Sequence, residues 1–576
     1  MPFGIIVAMK TKARLLASAA VPLVAFCASA ANTFQVTPYV QHPAQDAMSL
    51  IWFTSARGAA TVKWWPAAGG AVQSASTDGV LAPALTNNVY AGETAAQCPR
   101  KYRHRHRITG LAAGTRYAYA VELADGPAYT NAFRTAPGPD SAIRFMYYND
   151  PETQPNNGKT TDWADPNNGD RTRTYYITQT EGYRQGLARM KSRNPDLYVI
   201  AGDLVSLGDL QRSWDEFWKH NAGGLGLGFD DPAGSVPIMA AIGNHDLQDV
   251  QARPPKAAGM PANGNVYAGG EPSLDRYLSY FEFEPNGVDF SDVDGRDRSQ
   301  MFHRLDYGPV TFIFLDTNNG DDADPERDTH TGLFRDPAEA GRWGLPAARS
   351  ADFNPGSRQY DWLVRQLADA QRKSKFTFVV NHQCPYSTGY HNRRNVTEGG
   401  EWISARPLRV LDETMLKYGV DAWLCGHDEM MEHARFEGRE KLPNGSWRPH
   451  HVDVFDMGTV GNGLRGGFIS REGQDLVRTK RVYEDGTKDV FRAYVDEPEI
   501  VRNGVLVAGG VHYTHMEVDV KEAEPGLWTC TMTPTYLFTS NCNGVVGCEW
   551  RTYNDVVVLT NDLRVAQGVP TLLSIR

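Results

Sequence analysis

From residue 144 onward the chain alternates short apolar runs with tight polar clusters. The runs Arg144-Phe145-Met146-Tyr147-Tyr148, Leu197-Tyr198-Val199-Ile200, Val236-Pro237-Ile238-Met239-Ala240-Ala241-Ile242, Phe376-Thr377-Phe378-Val379-Val380 and Ala422-Trp423-Leu424 have the length and composition of buried strands. Between them, Ile177 to Arg193 and Ser357 to Arg372 are spaced as helices, the second with Tyr360, Leu363, Leu367 and Ala370 on one side. Strands alternating with helices predict an α/β domain over residues 142–576. Each strand is followed at once by a polar segment: Asn149-Asp150-Pro151-Glu152, Gly202-Asp203, Gly243-Asn244-His245-Asp246, Asn381-His382 and Gly426-His427-Asp428-Glu429. That placement brings oxygen and imidazole groups to one rim of a sheet, where sites of α/β proteins lie.

Upstream, residues 34–137 read differently. Ala47 to Phe53 and Thr61 to Trp65 alternate with period two, and further short runs follow between turns, so this part is expected to be all-β. The stretch Arg107 to Val121, with Tyr117 after Gly114-Thr115-Arg116, resembles the tyrosine-corner region of fibronectin type III sandwiches. His104 and His106 share a strand face there, and without a carboxylate nearby they are expected to be structural. Thr135-Ala136-Pro137-Gly138-Pro139-Asp140 reads as a linker to the second domain.

A length of 576 residues with 41% hydrophobic content fits two or more packed cores. Lys10, Lys12 and Arg14, the apolar stretch Leu15 to Phe26 and Ala28-Ser29-Ala30 form the pattern of a secretory signal peptide over residues 1–30, with Met9 as an alternative start. The apolar run is short for a membrane anchor, so a secreted or periplasmic protein is expected. Cleavage would remove three positive charges and no acid, taking the formal charge from -10 to -13, which argues against coating nucleic acid. Six cysteines would remain; Cys542 and Cys548 flank a short loop and are the favoured disulfide, while Cys384 and Cys425 read as small buried residues at strand ends.

The five polar segments carry the chemistry. Hydrolysis of a phosphate ester requires neutralised phosphoryl oxygens and a nucleophile stronger than water, and two adjacent cations supply both. Asp203 suits a carboxylate bridging such a pair. Asn244 can ligate without adding charge, His245 can protonate a leaving group, and Asp246 is expected to orient His245. His382 and His427 offer imidazole nitrogens to one ion.

With these motifs, residues 34 to about 467 resemble the calcineurin-like metallophosphoesterase superfamily, especially purple-acid-phosphatase-like members with an N-terminal fibronectin-like domain. Leu305 to Thr317, Gln359 to Leu363 and Asn381 to Ser387 resemble the framework between that family's motifs. The resemblance implies two packed sheets flanked by helices, a dinuclear centre, a metal-bound hydroxide and a phosphatase or phosphodiesterase activity. It also exposes departures. Glu152, with Gln154 as a second candidate, stands where the family places His, Gln or Gly. Ser206 replaces the tyrosine that colours purple acid phosphatases, and Glu429 replaces a histidine. One position is thereby Asp150, Asp203, Glu429 and Glu152, suited to Mn, Fe, Mg or Ca. The other is Asp203, Asn244, His382 and His427, suited to Zn, Fe or Mn.

Other segments are less decisive. Tyr386, Ser387, His391, Arg393 and Arg394 are candidates for contacting substrate. The polar loops 155–173, 251–271 and 317–356 have lengths common at a substrate mouth. Asp316, Asp321, Asp322, Asp324 and Asp328 do not match an EF-hand and read as a solvated acidic loop rather than a calcium site. The tail after Gly526 is expected to finish the second sheet. Two rival readings are a degenerate homologue that binds without catalysis and an adhesin or carbohydrate-binding protein; the second leaves the ordered His, Asn and Asp segments unexplained.

Overall fold

The computed structural model describes residues 31–563 except 90–91, 156–176, 248–270, 292–296, 319–326, 328, 330–350, 388–394, 397–400, 403–404, 430, 459, 462–475, 483–487, 494–499, 503–504, 509–511 and 543. The signal-peptide pattern, most of the three long loops, Asp321, Asp322, Asp324, Asp328, His391, Arg393 and Arg394 lie outside the described residues. No helix among the described residues is long and apolar enough to cross a membrane.

The N-terminal part holds eight strands: β1 (Phe34–Gln41), β2 (Ala47–Thr54), β3 (Ala59–Pro66), β4 (Gln73–Asp78), β5 (Val80–Leu81), β6 (Tyr102–Thr109), β7 (Arg116–Leu123) and β8 (Ala128–Arg134). They form two four-stranded sheets, ordered β1-β2-β6-β5 and β4-β3-β7-β8. Met48, Leu50 and Trp52 of β2 join the core between these sheets, together with Val62, Tyr119 and Phe133. The tyrosine corner is formed, the Tyr117 hydroxyl accepting from the Ala112 amide at 2.9 Å. His104 stacks on Trp52 with ring centroids 5.0 Å apart, in keeping with a structural role.

Every residue of β2 is buried, because its alternate face is covered as well. Ile51 and Phe53 belong to the core of the following α/β part. Tyr39 stacks on Trp218 at 4.1 Å and Phe53 meets Tyr280 at 5.0 Å. Thr135, Ala136 and Pro137, expected in a linker, are themselves buried, so the sandwich packs on the rest over a broad face.

The second part is built on two larger sheets. β9 (Ile143–Tyr148), β10 (Leu197–Ile200) and β11 (Ile238–Ala240) run parallel. The other sheet contains β12 (His303–Tyr307), β13 (Val310–Phe314), β14 (Phe376–Gln383), β15 (Ala422–Gly426), β16 (Met431–Lys441) and β17 (Trp447–Met457), with β13, β14, β15 and β17 parallel. Phe145 of β9 packs on Phe312 and Phe378, joining the two faces. The helices are α1 (Gln179–Ser192), α2 (Gln211–Asn221), α3 (Glu271–Tyr280) and α4 (Arg358–Lys373). Thr178 and Ser357 cap α1 and α4 by accepting from the Glu181 and Tyr360 amides.

Two expectations are corrected. The tail strands β18 (Tyr513–Glu524) and β19 (Leu527–Cys542) extend the first sheet, with β18 antiparallel to β9. The Cys542–Cys548 disulfide is not formed: Cys548 is a free thiol. Val545 to Gly547 continue a strand rather than a loop, and the register sets Cys542 opposite Val545 and Cys548 opposite Thr539.

A buried ion cluster ties the tail to the second sheet. His433 of β16 bonds Asp555 through Nδ1 at 2.6 Å and Asp453 of β17 through Nε2 at 2.9 Å, and Arg435 donates to Asp453 at 2.7 Å. Burial alone would lower the His433 pKa; the two carboxylates outweigh it and raise it.

Candidate metal centre

The first two polar segments are laid side by side by backbone bonds that prolong the β9–β10 pairing. The Asp150 amide donates to Gly202 O at 3.2 Å, Glu152 to Asp203 O at 3.0 Å, Thr153 to Leu204 O at 3.2 Å and Ser206 to Thr153 O at 3.2 Å. His382 is the penultimate residue of β14 and His427 follows β15, so candidate ligands arrive from the carboxyl ends of two sheets rather than one. Gly243 is required beside them, since the Asp203 carboxylate and amide fill the space a Cβ would take. Among the described residues, eight non-glycines have positive φ, and five are Asp150, Glu152, Asp203, His427 and Glu429. Such conformations cost on the order of 1–3 kcal/mol each and gather where function over-determines the backbone.

On the nitrogen side, His382 Nδ1 lies 2.8 Å from the Ala201 carbonyl, which can only accept. Its Nε2 therefore points inward, 2.9 Å from Asp203 Oδ2 and 3.2 Å from His427 Nδ1. Three electron-rich atoms face one another, and a proton or a cation has to lie between them. In the metal-free protein burial opposes charge on His382, but Asp203 outweighs it and raises the pKa. Asp203 correspondingly is pulled up by burial and held below its ordinary value by His382 and His245. Asn244 lies between Gly243 and His245, whose amide donates to Asp203 Oδ1 at 2.7 Å. The Asn244 Oδ1 is buried and has no hydrogen-bond partner among the described residues, as a neutral metal ligand would.

The oxygen side brings ligand atoms of Asp150, Glu152 and Glu429 within 4.8 Å of one another, all three buried. Burial first, then the charges of Asp203, Glu429, Asp456 and Glu152, push the Asp150 pKa well above its usual range. Glu152 also groups with Asp203 and His245. Gln154 instead lines a small cavity with Gln179, Tyr183 and His220.

His245 differs from the ligands in its access to solvent: its side chain is 20% exposed where Glu152 is 4% exposed. Its Nδ1 donates to the Ser206 carbonyl at 2.8 Å, which leaves Nε2 facing Glu152 Oε1 at 3.7 Å. Asp246 does not orient this ring. Its Oδ1 accepts from the Leu204 and Val205 amides at 2.9 and 3.3 Å and its Oδ2 from Gly243 at 2.9 Å, so it clamps two ligand loops together. The orienting group is the Ser206 carbonyl, at the position where Ser206 stands in place of tyrosine.

Tyr386 is also reassigned. It is buried, its hydroxyl donates to Asp412, and Arg409 lies over its ring at 4.3 Å, which makes it a packing residue rather than a substrate contact. Ser387 is half-buried. Cys384 and Cys425 are buried, and the Cys384 thiol reaches the Tyr386 carbonyl at 3.5 Å. One residue of the site was missed by sequence reading: Asp456, at the end of β17. It accepts from Asn149 Nδ2 at 3.0 Å and from the Asp428 amide at 3.2 Å, linking the loops of Asp150 and His427. The signal was there, since Val452-Asp453-Val454-Phe455 is one more apolar-rich run followed by Asp and Gly458.

Comparison with known proteins agrees with this geometry. Residues 177–429, from just before α1 to Glu429, match the calcineurin-like phosphoesterase family model. An acid phosphatase of Aspergillus ficuum is 25% identical over 247 residues, covering 39% of this chain and 36% of the relative. A serine/threonine-protein phosphatase of Plasmodium berghei is 26% identical over 127 residues, 22% of this chain and 9% of its own. The chain thus aligns with about a third or less of these relatives' lengths. A purple acid phosphatase from yellow lupin (Lupinus luteus) superposes with a TM-score of 0.51 at 16% identity, covering 95% of this chain and 78% of its own. PhoD gives 0.50 at 12% identity, covering 92% and 90%. These two show the fold, and the resemblance read from the motifs is borne out.

Proposed function

We propose that this chain is an exported metal-dependent phosphoesterase with a dinuclear centre, acting on phosphate esters. The observation that carries the reading is the convergence of His382 Nε2, His427 Nδ1 and Asp203 Oδ2, with both histidines and the carboxylate turned toward one point. Asp203, Asn244, His382 and His427 would hold one ion, and Asp150, Asp203, Glu152 and Glu429 the other. When bound, the pair supplies neutralisation of the phosphoryl oxygens and an activated water. Asp203 groups with His382 and His427 on one side and with Glu152 and His245 on the other, and so is suited to bridge the two positions.

The chain's own residues supply the rest. Ser206 O fixes the His245 tautomer with the proton on Nδ1; Nε2, once protonated, is the atom placed to give a proton to a departing alkoxide. Asp246 holds the loops of Asp203 and Asn244 at a fixed spacing. With Ser206 in place of tyrosine, no tyrosinate-to-iron band arises at that position, so the protein is expected to be colourless. Export is supported by the basic, apolar and small-residue pattern of residues 10–30, and intact mass of the secreted protein tests it. Activity is tested by metal content together with hydrolysis of p-nitrophenyl phosphate and of its bis ester. Two ions per chain with turnover of either substrate support the reading; a metal-free protein that hydrolyses neither overturns it.

A further inference from the structure

Helix α2 starts directly after the loop that orients His245, and it starts without a cap of its own. Leu210 offers no side-chain acceptor at its N-terminus, and amides of a first helical turn need partners from elsewhere. Glu93 provides them from the N-terminal sandwich, on the excursion between β5 and β6. It is buried, its Oε2 accepting from the Gln211 amide at 3.2 Å and its Oε1 from the Arg212 amide at 2.9 Å. A carboxylate at this end also meets the positive end of the helix dipole.

The excursion is itself tied up. The Asn88 amide donates to Glu93 Oε2 at 2.8 Å, and the Glu93 amide returns a bond to Asn88 O at 2.9 Å. Asn88 Nδ2 then donates to Asp209 Oδ2 at 2.8 Å. Arg276 of α3, also buried, reaches the Thr86 carbonyl at 2.8 Å and the Asp209 carbonyl at 2.5 Å. The segment held in this way is the wall against which His245 rests: Ser206 O accepts a hydrogen bond from Nδ1, and the Gly208 amide donates to His245 O at 2.9 Å.

We propose that Asn88 and Glu93, on the excursion of the N-terminal sandwich between β5 and β6, act as a positioning arm for His245. It fixes the Ser206–Asp209 loop, and through that loop the direction of the histidine's proton, without touching substrate or metal. This rests on reading His245 as the proton donor. The arm gives the sandwich a part in the reaction that a mechanical spacer would not have.

The test compares metal-loaded, full-length Asn88→Ala, Glu93→Ala and His245→Ala on p-nitrophenyl phosphate and on an alkyl phosphate. For the two arm variants kcat on the alkyl ester should fall about tenfold, with kcat on the aryl ester held within about twofold and KM unchanged. Glu93→Gln keeps one acceptor oxygen and should recover part of the loss. Equal losses on both esters, or no loss, overturn the arm. Should Glu93→Ala fail to fold, Asn88→Ala leaves the helix cap in place and carries the same comparison. If His245→Ala shows no dependence on the leaving group, the proton-donor reading fails, and amide exchange then judges the arm separately. Exchange across 204–210 should quicken about fivefold or more in Asn88→Ala while α1 is unchanged; an unaltered loop overturns it.

Discussion

Two buried clusters of carboxylates and imidazoles occupy the catalytic part, and they are built on opposite terms. Around His433 each charge meets its complement: Asp453 receives His433 and Arg435, and Asp555 takes the other ring nitrogen. Burial works against the Asp453 charge, but these partners outweigh it and hold its pKa far below the usual range. Around Asp150 the neighbours are Asp203, Glu429, Asp456 and Glu152, and the pKa rises instead. Among the described residues, nearly the same residue types are therefore paired with cationic side chains in one place and gathered chiefly against other carboxylates in the other. Anion excess in a buried cluster, held by strained backbone, is what separates a cation site from an internal salt bridge.

The largest effect expected from this difference is on turnover. Asp203→Ala should lower kcat by several orders of magnitude and reduce the metal content, whereas Asp453→Asn should keep turnover within about twofold while weakening the fold. Steady-state kinetics beside thermal denaturation decides it; comparable activity losses in both variants would erase the distinction. His245→Ala comes next. It removes a proton donor and not a ligand, so an alkyl phosphate should suffer far more than p-nitrophenyl phosphate.

Much of the site was legible because its ligands sit in chain order directly after apolar runs, as Asp203 follows Leu197 to Ile200. Glu152 and Glu429 were legible only as departures from a pattern, and positive φ marks them independently. The Asp246 role was misread since adjacency in sequence says nothing of direction: its carboxylate turns to the backbone of the Asp203 loop while the His245 ring turns to Ser206. Helix α2 went unread although Trp214, Phe217, Trp218 and Asn221 are spaced for one buried face. Its cap comes from Glu93, more than a hundred residues away, and a local reading has no access to that partner.

Chelation should produce a smaller, pH-dependent effect. An Asp whose folded pKa is raised binds its proton more tightly in the native state. The metal-free protein is therefore stabilised below the unfolded carboxylate pKa, and it loses that contribution as pH rises through the folded values. Asp456, raised to about 7 by burial and by Asp428, places part of this loss near neutrality. The melting temperature of the chelated protein should fall between acidic and neutral pH, and bound cations should flatten the slope. A chelated protein whose stability ignores pH would count against the anion excess.

The smallest effect belongs to His433. Its raised pKa gives stability that is complete below the unfolded histidine value and is lost as pH climbs through the folded one. His433→Gln should remove that decline with rising pH while leaving metal content and turnover as they are. Melting curves as pH rises above the ordinary histidine value check it, and an unchanged decline would assign it elsewhere.

The central claim, that the carboxylates of Asp150, Glu152 and Glu429 form one half of a two-ion centre, is tested most directly by counting ions. Native mass spectrometry of the purified protein should show two metal ions per chain, and the Asp150→Asn/Glu429→Gln variant should retain one, held by His382, His427, Asn244 and Asp203. A wild-type protein with a single ion, or a variant that still binds two, would contradict it.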